Sequence, residues 1–334
     1  MTADVPIEEG LAAISPGAYP YLEVWEWPVG LDLFLMSLAG GLLIVTNALA
    51  LLRWRQDRGD SRLSAWTDAL VVPSILLGLF MLWIDLGAKL QALRFFLVFE
   101  PSSAMSWGSW LIGLSLLGGV ARIAQRFSRP PVCPMSRLPW LAKLGPAKLL
   151  IRAMMKARGA VAWRADQLGR GLLVANVLLG LGLGLYTGAL LATLAARPLW
   201  ANLSLPFFFL AYGLAAACGV VLLTTTRAEA DRARTLLSAA TALALICGGV
   251  YVLTTPALTH ALPPSTPFAG GWLGPTFWLL GIGAGLVVPI LLEAGALVTR
   301  TLRPLVDRLT PWLILGGGLA LRQAIVYAGQ LYPR

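Results

Sequence analysis

The sequence predicts an all-α polytopic membrane protein with about eight transmembrane helices. Hydrophobic residue types make up 57% of the 334 residues and charged types only 13%, about half of the share usual in soluble domains. The apolar residues also fall in blocks of about 20, the length that an α-helix needs to cross the hydrocarbon core of a bilayer. The alternative, a large soluble helical protein, would not contain such long runs almost free of charge.

The apolar blocks divide the sequence into spans and loops. The predicted spans are 29–52, 67–88, 106–126, 171–195, 204–226, 235–257, 273–298 and 310–330. We expect these eight helices to form two four-helix bundles. The predicted regions are an N-terminal segment at 1–28, spans one to three within 29–126, a basic loop at 127–170, and spans four to eight within 171–330.

The loop 127–170 is not apolar enough to cross a membrane. It begins with the turn sequence Arg129-Pro130-Pro131, and basic residues then alternate with apolar ones such as Met154 and Met155. This pattern predicts a basic amphipathic helix lying on the cytoplasmic membrane surface.

The distribution of positive charge predicts the orientation. Of the 26 Lys and Arg residues, 21 fall in the loops after spans one, three, five and seven or at the ends of those spans. Because cytoplasmic loops carry the excess of Lys and Arg, we expect both termini outside the cytoplasm of a bacterial inner membrane. The first 27 residues contain no Lys or Arg, so we expect no cleavable signal peptide.

Ionisable residues within spans are costly in lipid and therefore suggest function. The candidates are Asp32, Asp85, Lys89, Tyr186, Glu293 and Arg322. Asp85 and Lys89 are four residues apart and could form a simple interfacial ion pair. Glu293 could reach water at the inner interface. Asp32 and Arg322 could pair between spans one and eight, or could form a site for protons or a polar ligand.

The sequence offers no residues for a redox centre of its own. Its only histidine is His260, so two axial histidines for a membrane haem are lacking. Cys133, Cys218 and Cys247 are far apart and form no metal-binding pair. We therefore expect neither haem nor metal in this protein, and electrons would have to come through a partner.

Several segments, in order along the sequence, resemble the membrane subunits of the NrfD/PsrC type, the polysulfide reductase membrane subunit family. These segments are Trp25-Glu-Trp27 with the small residues to Gly41, Asp85-Leu-Gly87, Pro101 to Trp110, Tyr186-Thr-Gly188, Pro198-Leu-Trp200, Val288-Pro-Ile-Leu-Leu-Glu293, and the stretch around Arg322 and Gln330. The resemblance implies eight helices and a haem-free quinone-binding anchor. It also implies a ferredoxin-like iron–sulfur partner on the extracytoplasmic face, near 1–28 and 89–106, and a molybdopterin or multihaem catalytic subunit.

The resemblance also assigns site residues near the outer ends of the early spans. Asp32 takes the position of a polar quinone-contacting residue, and Tyr186 matches the tyrosine of the fourth span. The sequence departs from the polysulfide reductase pattern, because Asp32 replaces a histidine, Val29 replaces an asparagine, and Leu190 stands where a carboxylate would follow Tyr186. The expected catalytic residues are Asp32, Tyr186, Asp85 and Arg322, and the expected quinone pocket is Trp25, Trp27, Asp32, Lys89, Trp107 and Tyr186.

The sequence therefore predicts a subunit that exchanges electrons between menaquinone or ubiquinone and an iron–sulfur partner in a respiratory oxidoreductase complex. Two alternatives remain at this stage. One is a secondary transporter with a solute or proton site at Asp32 and Arg322. The other is an anchor without a quinone site, which would not need ionisable residues within its spans. The substrate of the catalytic partner and the direction of electron flow stay open.

Overall fold

The computed structural model of this protein describes residues 25–54, 65–86, 94–97, 99–127, 145–194, 197, 199–224, 230–258 and 271–331. Within these ranges all regular structure is helical, and eight helices are long and apolar enough to cross a membrane. Both findings confirm the predicted fold class.

The eight membrane helices follow one another along the sequence. They are α1 (Trp27–Trp54), α2 (Ala65–Asp85), α3 (Ala104–Phe127), α4 (Gly145–Ala192), α5 (Leu205–Thr224), α6 (Ala230–Leu258), α7 (the composite segment Leu273–Val298) and α8 (Arg303–Leu331). A four-residue helix at Arg94–Leu97 precedes α3. Each of the eight predicted spans overlaps one of these helices, and the boundaries differ by a few residues.

The helices pack as two four-helix bundles, as predicted. In the first bundle α1 contacts α2 and α4, and α3 completes the ring between α2 and α4. In the second bundle α5 contacts α6 and α8, and α7 completes the ring in the same way. The bundles meet along α1 and α5, with α4 and α8 also crossing the junction, so α1 and α5 are the most deeply buried helices.

Glycines on α1 bring it into backbone contact with both bundles. A Cβ atom on Gly40 would lie 2.8 Å from the carbonyl oxygen of Gly180 in α4. A Cβ atom on the adjacent Gly41 would lie 2.3 Å from the carbonyl oxygen of Gly213 in α5. Small residues permit such close approach between membrane helices, where packing rather than exclusion of water drives association. These contacts fix α1 in the centre of the molecule.

Aromatic side chains fill the interior of the second bundle. Phe208 stacks on Tyr251 with ring centroids 5.9 Å apart and meets Tyr212 at an angle. All three side chains are fully buried, as is Phe277 on α7. The Tyr251 hydroxyl donates a hydrogen bond to the carbonyl of Leu199, and the Tyr212 hydroxyl donates to the carbonyl of Gly281.

Two membrane helices depart from regular α-helical geometry. α4 changes direction at Gly169, where φ is 34° and ψ is −111°, a conformation that favours glycine. This break separates the helical stretch 145–168 from the span Gly169–Ala192. The helical backbone agrees with the helix predicted inside the loop 127–170, whereas residues 128–144 lie outside the described residues and its amphipathic character stays a prediction. In α7, residues Thr276–Val287 form a π-helix between two α-helical pieces.

Candidate functional site

Asp32 is buried in the first bundle, one turn after the start of α1. Its side chain lies against α2, where a Cβ atom on Gly78 would be 2.9 Å from Oδ1. The residue is 7% exposed, and Oδ1 has no hydrogen-bond partner among the residues that the structure describes. A buried carboxyl oxygen without a partner is costly, so it marks a place where a ligand or water can bind.

Asp85 extends this acidic site towards the end of the bundle where α1 begins, which we term the N-terminal face. It is half-buried at the last residue of α2 and lies close enough to Asp32 for the two carboxyl groups to interact electrostatically. Lys89 lies outside the described residues, so the expected Asp85–Lys89 pair stays a prediction.

Tyr186 reaches the same region from α4. Its ring packs directly on the backbone of Gly108 in α3, where a Cβ atom would lie 1.8 Å from Cζ and 2.0 Å from the hydroxyl oxygen. The hydroxyl group lies within electrostatic range of Asp32. The structure therefore brings together three of the four predicted catalytic residues, Asp32, Asp85 and Tyr186.

Arg322 is the predicted residue that lies elsewhere. It is fully buried at the junction of the two bundles, where Nη2 donates hydrogen bonds to Ser37 Oγ at 2.7 Å and to the carbonyl of Phe209 at 3.1 Å. Phe34 contacts the guanidinium through its ring. Because Phe34 is about 200° around α1 from Asp32, the two residues face opposite sides of the helix. The structure shows no Asp32–Arg322 ion pair.

The predicted pocket tryptophans contact other parts of the molecule. Trp25 stacks on Trp200 at a centroid distance of 5.3 Å, and its carbonyl accepts a hydrogen bond from Gln330. Trp27 and Trp107 are each 52% exposed. Trp107 Nε1 donates a hydrogen bond to the carbonyl of Pro101, 2.9 Å away. Trp25 therefore ties the N-terminal segment to the second bundle, and Trp107 holds the turn before α3.

Glu293 lies near the opposite face of the second bundle, within a network of charges. It is 8% exposed, and Oε1 has no hydrogen-bond partner among the described residues. Nearby, Arg234 of α6 makes two hydrogen bonds to Asp307 of α8, at 2.6 and 2.5 Å. Arg303 also interacts electrostatically with Glu293. Glu293 is thus close to neutralising cations and remote from Asp32.

A buried polar cluster near the opposite face of the first bundle is not predicted by the sequence. Arg122 counts there among the loop charges, but it lies inside α3, where Nε is 3.4 Å from Oδ2 of Asp68 in α2 and Nη1 donates to Gln125. Asn176 of α4 donates to Asn47 of α1 and to a carbonyl of α3. The signal available in the sequence was the acidic Asp68 one residue inside a predicted span.

The Asp32 site is suited to proton exchange with an uncharged ligand. It offers a carboxyl oxygen without a partner among the described residues, a phenol hydroxyl and a second carboxyl group towards the N-terminal face, all enclosed by apolar helices. Within the same ranges, no group of three or more His, Cys, Asp or Glu side chains could hold a metal ion. Proton transfer and hydrogen bonding are therefore the chemistry that these side chains supply.

Eight membrane helices around a buried carboxyl–phenol site define a polytopic membrane subunit with a polar ligand site in its first bundle. The protein belongs to the NrfD family, since the family profile described as "Polysulphide reductase, NrfD" matches residues 15–334. This confirms the resemblance found in the sequence. It is consistent with a membrane anchor of a respiratory oxidoreductase.

Two relatives are similar over most of the sequence. Protein NrfD of Escherichia coli (strain K12) is 28% identical over 320 residues, covering 92% of the present protein and 95% of that relative. The C subunit of polysulfide reductase from Wolinella succinogenes is 26% identical over 328 residues, again covering 92% of the present protein and 95% of the relative. The similarity therefore extends through both bundles.

Proposed function

We propose that the protein is the quinone-reactive membrane subunit of a respiratory oxidoreductase complex. In this proposal it exchanges electrons between membrane quinone and an iron–sulfur partner. The observation that carries the proposal is the buried Oδ1 of Asp32, which has no hydrogen-bond partner among the described residues and lies near the Tyr186 hydroxyl. A quinone ring is uncharged and apolar, and each of its oxygens needs a hydrogen-bonding group in such a pocket.

The proposed chemistry assigns one role to each side chain. Quinol oxidation releases two protons with two electrons, and quinone reduction takes up the same number. Asp32 accepts a proton from one quinol oxygen or returns it in the reverse direction. The Tyr186 hydroxyl donates a hydrogen bond to a quinone oxygen and holds the ring in place. Asp85 exchanges the proton between Asp32 and water at the N-terminal face.

The orientation and the partner complete the proposal. The excess of Lys and Arg in the loops at the opposite face supports a cytoplasmic position for that face, with the N-terminal face outside the cytoplasm of the inner membrane. One relative is named as a constituent of a polysulfide reductase, which supports work within a multi-subunit complex. An iron–sulfur subunit that receives the electrons would then dock on the N-terminal face, near the Asp32 site.

The substitution Asp32→Asn tests the function in the intact complex. We expect quinol-linked turnover to fall by about 100-fold, because an amide has a similar shape but cannot accept the proton. Co-purification of the partner's iron–sulfur absorbance would show that the complex is assembled. Asp231→Asn is the matched control, since this carboxylate is exposed at the opposite face and should leave turnover unchanged.

Two outcomes would contradict the proposal. Normal quinol oxidation by an assembled Asp32→Asn complex would remove Asp32 from the mechanism. A protein that purifies without an iron–sulfur partner and moves a solute across vesicles would favour the secondary transporter instead.

A further inference from the structure

Arg322 is a buried cation that the proposed proton chemistry does not use. Its side chain is fully inaccessible at the junction of the two bundles. It has no ion pair with a carboxylate among the described residues, and its Nε has no hydrogen-bond partner there. A lone guanidinium within a membrane protein is costly, so its contacts should show what it does.

The contacts of Arg322 join three helices. Within α8, Nη1 donates a hydrogen bond to the carbonyl of Gly318 at 3.1 Å. Nη2 donates to Ser37 of α1 and to the carbonyl of Phe209 in α5. The charge is held by three rings, because Cζ of Arg322 is 5.6 Å from the centroid of Phe34, 4.8 Å from that of Phe209 and 5.4 Å from that of Tyr212.

The α1 residues that Arg322 contacts belong to the same part of the helix as Asp32. Counted along an α-helix, Phe34 is about 200° and Ser37 about 140° around the axis from Asp32. Arg322 therefore contacts α1 from one side while Asp32 faces Gly78 from the other. The next residue, Gln323, donates a hydrogen bond to the carbonyl of Trp27 at 2.7 Å, so α8 contacts α1 at two heights.

We propose that Arg322 is a positioning residue for Asp32. By binding Ser37 and covering Phe34, it sets the rotation of the first turns of α1, and this rotation directs Asp32 towards Gly78 and Tyr186. This inference rests on the proposed function in treating Asp32 as the reacting group. It assigns Arg322 a role through α1 and through no contact with the quinone.

A role through charge alone would give a different pattern of effects. Lysine at position 322 keeps the positive charge but lacks the planar fork that binds two acceptors and stacks on rings. Arg322→Lys should therefore disturb α1 if Arg322 acts by position, and should be harmless if only its charge matters. Ser37→Ala removes one contact on α1 and leaves the charge in place, so it discriminates in the same way.

The experiment measures how well α1 covers position 32, without using quinone. Cys133, Cys218 and Cys247 are replaced by Ala in the full complex, and Asp32→Cys introduces the only thiol of this subunit. The probe is N-ethylmaleimide applied to membranes, and labelling is measured on this subunit alone. We expect Ser37→Ala to raise the labelling rate roughly tenfold, the change that loss of one charge-assisted hydrogen bond produces in a local opening equilibrium. Arg322→Lys should raise it by a similar factor.

Tyr212→Phe is the matched control. It removes the buried hydrogen bond to Gly281 but keeps the ring that covers Arg322, so the labelling rate should stay at the parent value. Labelling of Ser37→Ala and Arg322→Lys at the parent rate would overturn the proposal. The result is independent of the proposed function, because active Asp32→Asn would refute quinone chemistry at Asp32 and leave the labelling rates unaffected.

Discussion

The phenol of Tyr186 occupies the space that a side chain on Gly108 would need. A Cβ atom on Gly108 would lie 1.8 Å from Cζ of the tyrosine, well inside any permitted contact. The ring is thus held against the backbone of α3, and its hydroxyl is directed to the region of Asp32. This relationship makes the position of Tyr186 depend on one glycine in a neighbouring helix.

Gly108→Ala should displace Tyr186 and lower quinol-linked turnover by about 100-fold, since misplacement of a site group by about 1 Å has effects of this size. Turnover of the assembled complex in membranes is the measurement. Gly113→Ala in the same helix is the control, because a Cβ atom there would lie 3.9 Å from the nearest side-chain atom, on Phe96. Equal activity of the two variants would show that the ring does not need the glycine.

Tyr186→Phe should keep the packing on Gly108 and remove only the hydroxyl group. We expect quinol-linked turnover to fall about tenfold, the effect of losing one hydrogen bond to the ligand, with no change in the amount of assembled complex. The Michaelis constant and the maximal rate should be measured separately with a short-chain quinol. An unchanged profile would place the ligand away from this hydroxyl.

Gly78→Ala should destabilise the protein because the new methyl group would meet Oδ1 of Asp32 and Cε of Met36, each 2.9 Å away. Overpacking of this kind costs about 1–3 kcal/mol. The measurement is the thermal unfolding midpoint of the purified complex. In a double-mutant cycle, Asp32→Ala should recover part of the loss by removing the clash. Strict additivity of the two substitutions would mean that the side chains do not touch.

The buried pair of Asp68 and Arg122 should be important for stability and separate from turnover. Arg122→Leu leaves the Asp68 carboxylate in the bundle without its cation, which costs about 3–5 kcal/mol. The variant combining Asp68→Leu and Arg122→Leu should cost less, because it leaves no uncompensated charge. Thermal unfolding of the single and double variants checks this order, and a more stable single variant would contradict it.

The sequence was sufficient to predict the spans and part of the site. Hydropathy identified the helices because a whole segment must be apolar to cross lipid, and Asp32 stood out as a charge within one. Hydropathy does not report which side of a helix faces a neighbour, because lipid tails and protein interior are both apolar. Arg322 was therefore grouped with Asp32, although the two lie on opposite sides of α1. For the same reason Arg122, at the end of its span, was assigned to a loop.

The glycine contacts could not be predicted from one sequence. Gly78 and Gly108 position Asp32 and Tyr186, but neither carries a side chain whose chemistry would single it out among 35 glycines. Their importance follows from helix neighbours that are distant in the sequence. The same holds for Trp25, whose stacking partner Trp200 lies in the other half of the sequence.

The aromatic interior of the second bundle has a consequence for binding stoichiometry. Both bundles have the same order of helix neighbours, but among the described residues only the first offers a partnerless carboxyl oxygen beside a phenol near the N-terminal face. In the second bundle Phe208, Tyr212 and Tyr251 fill the interior themselves. If the proposed function holds, one subunit accommodates one quinone ring, and every electron pair passing between lipid and partner uses a single doorway.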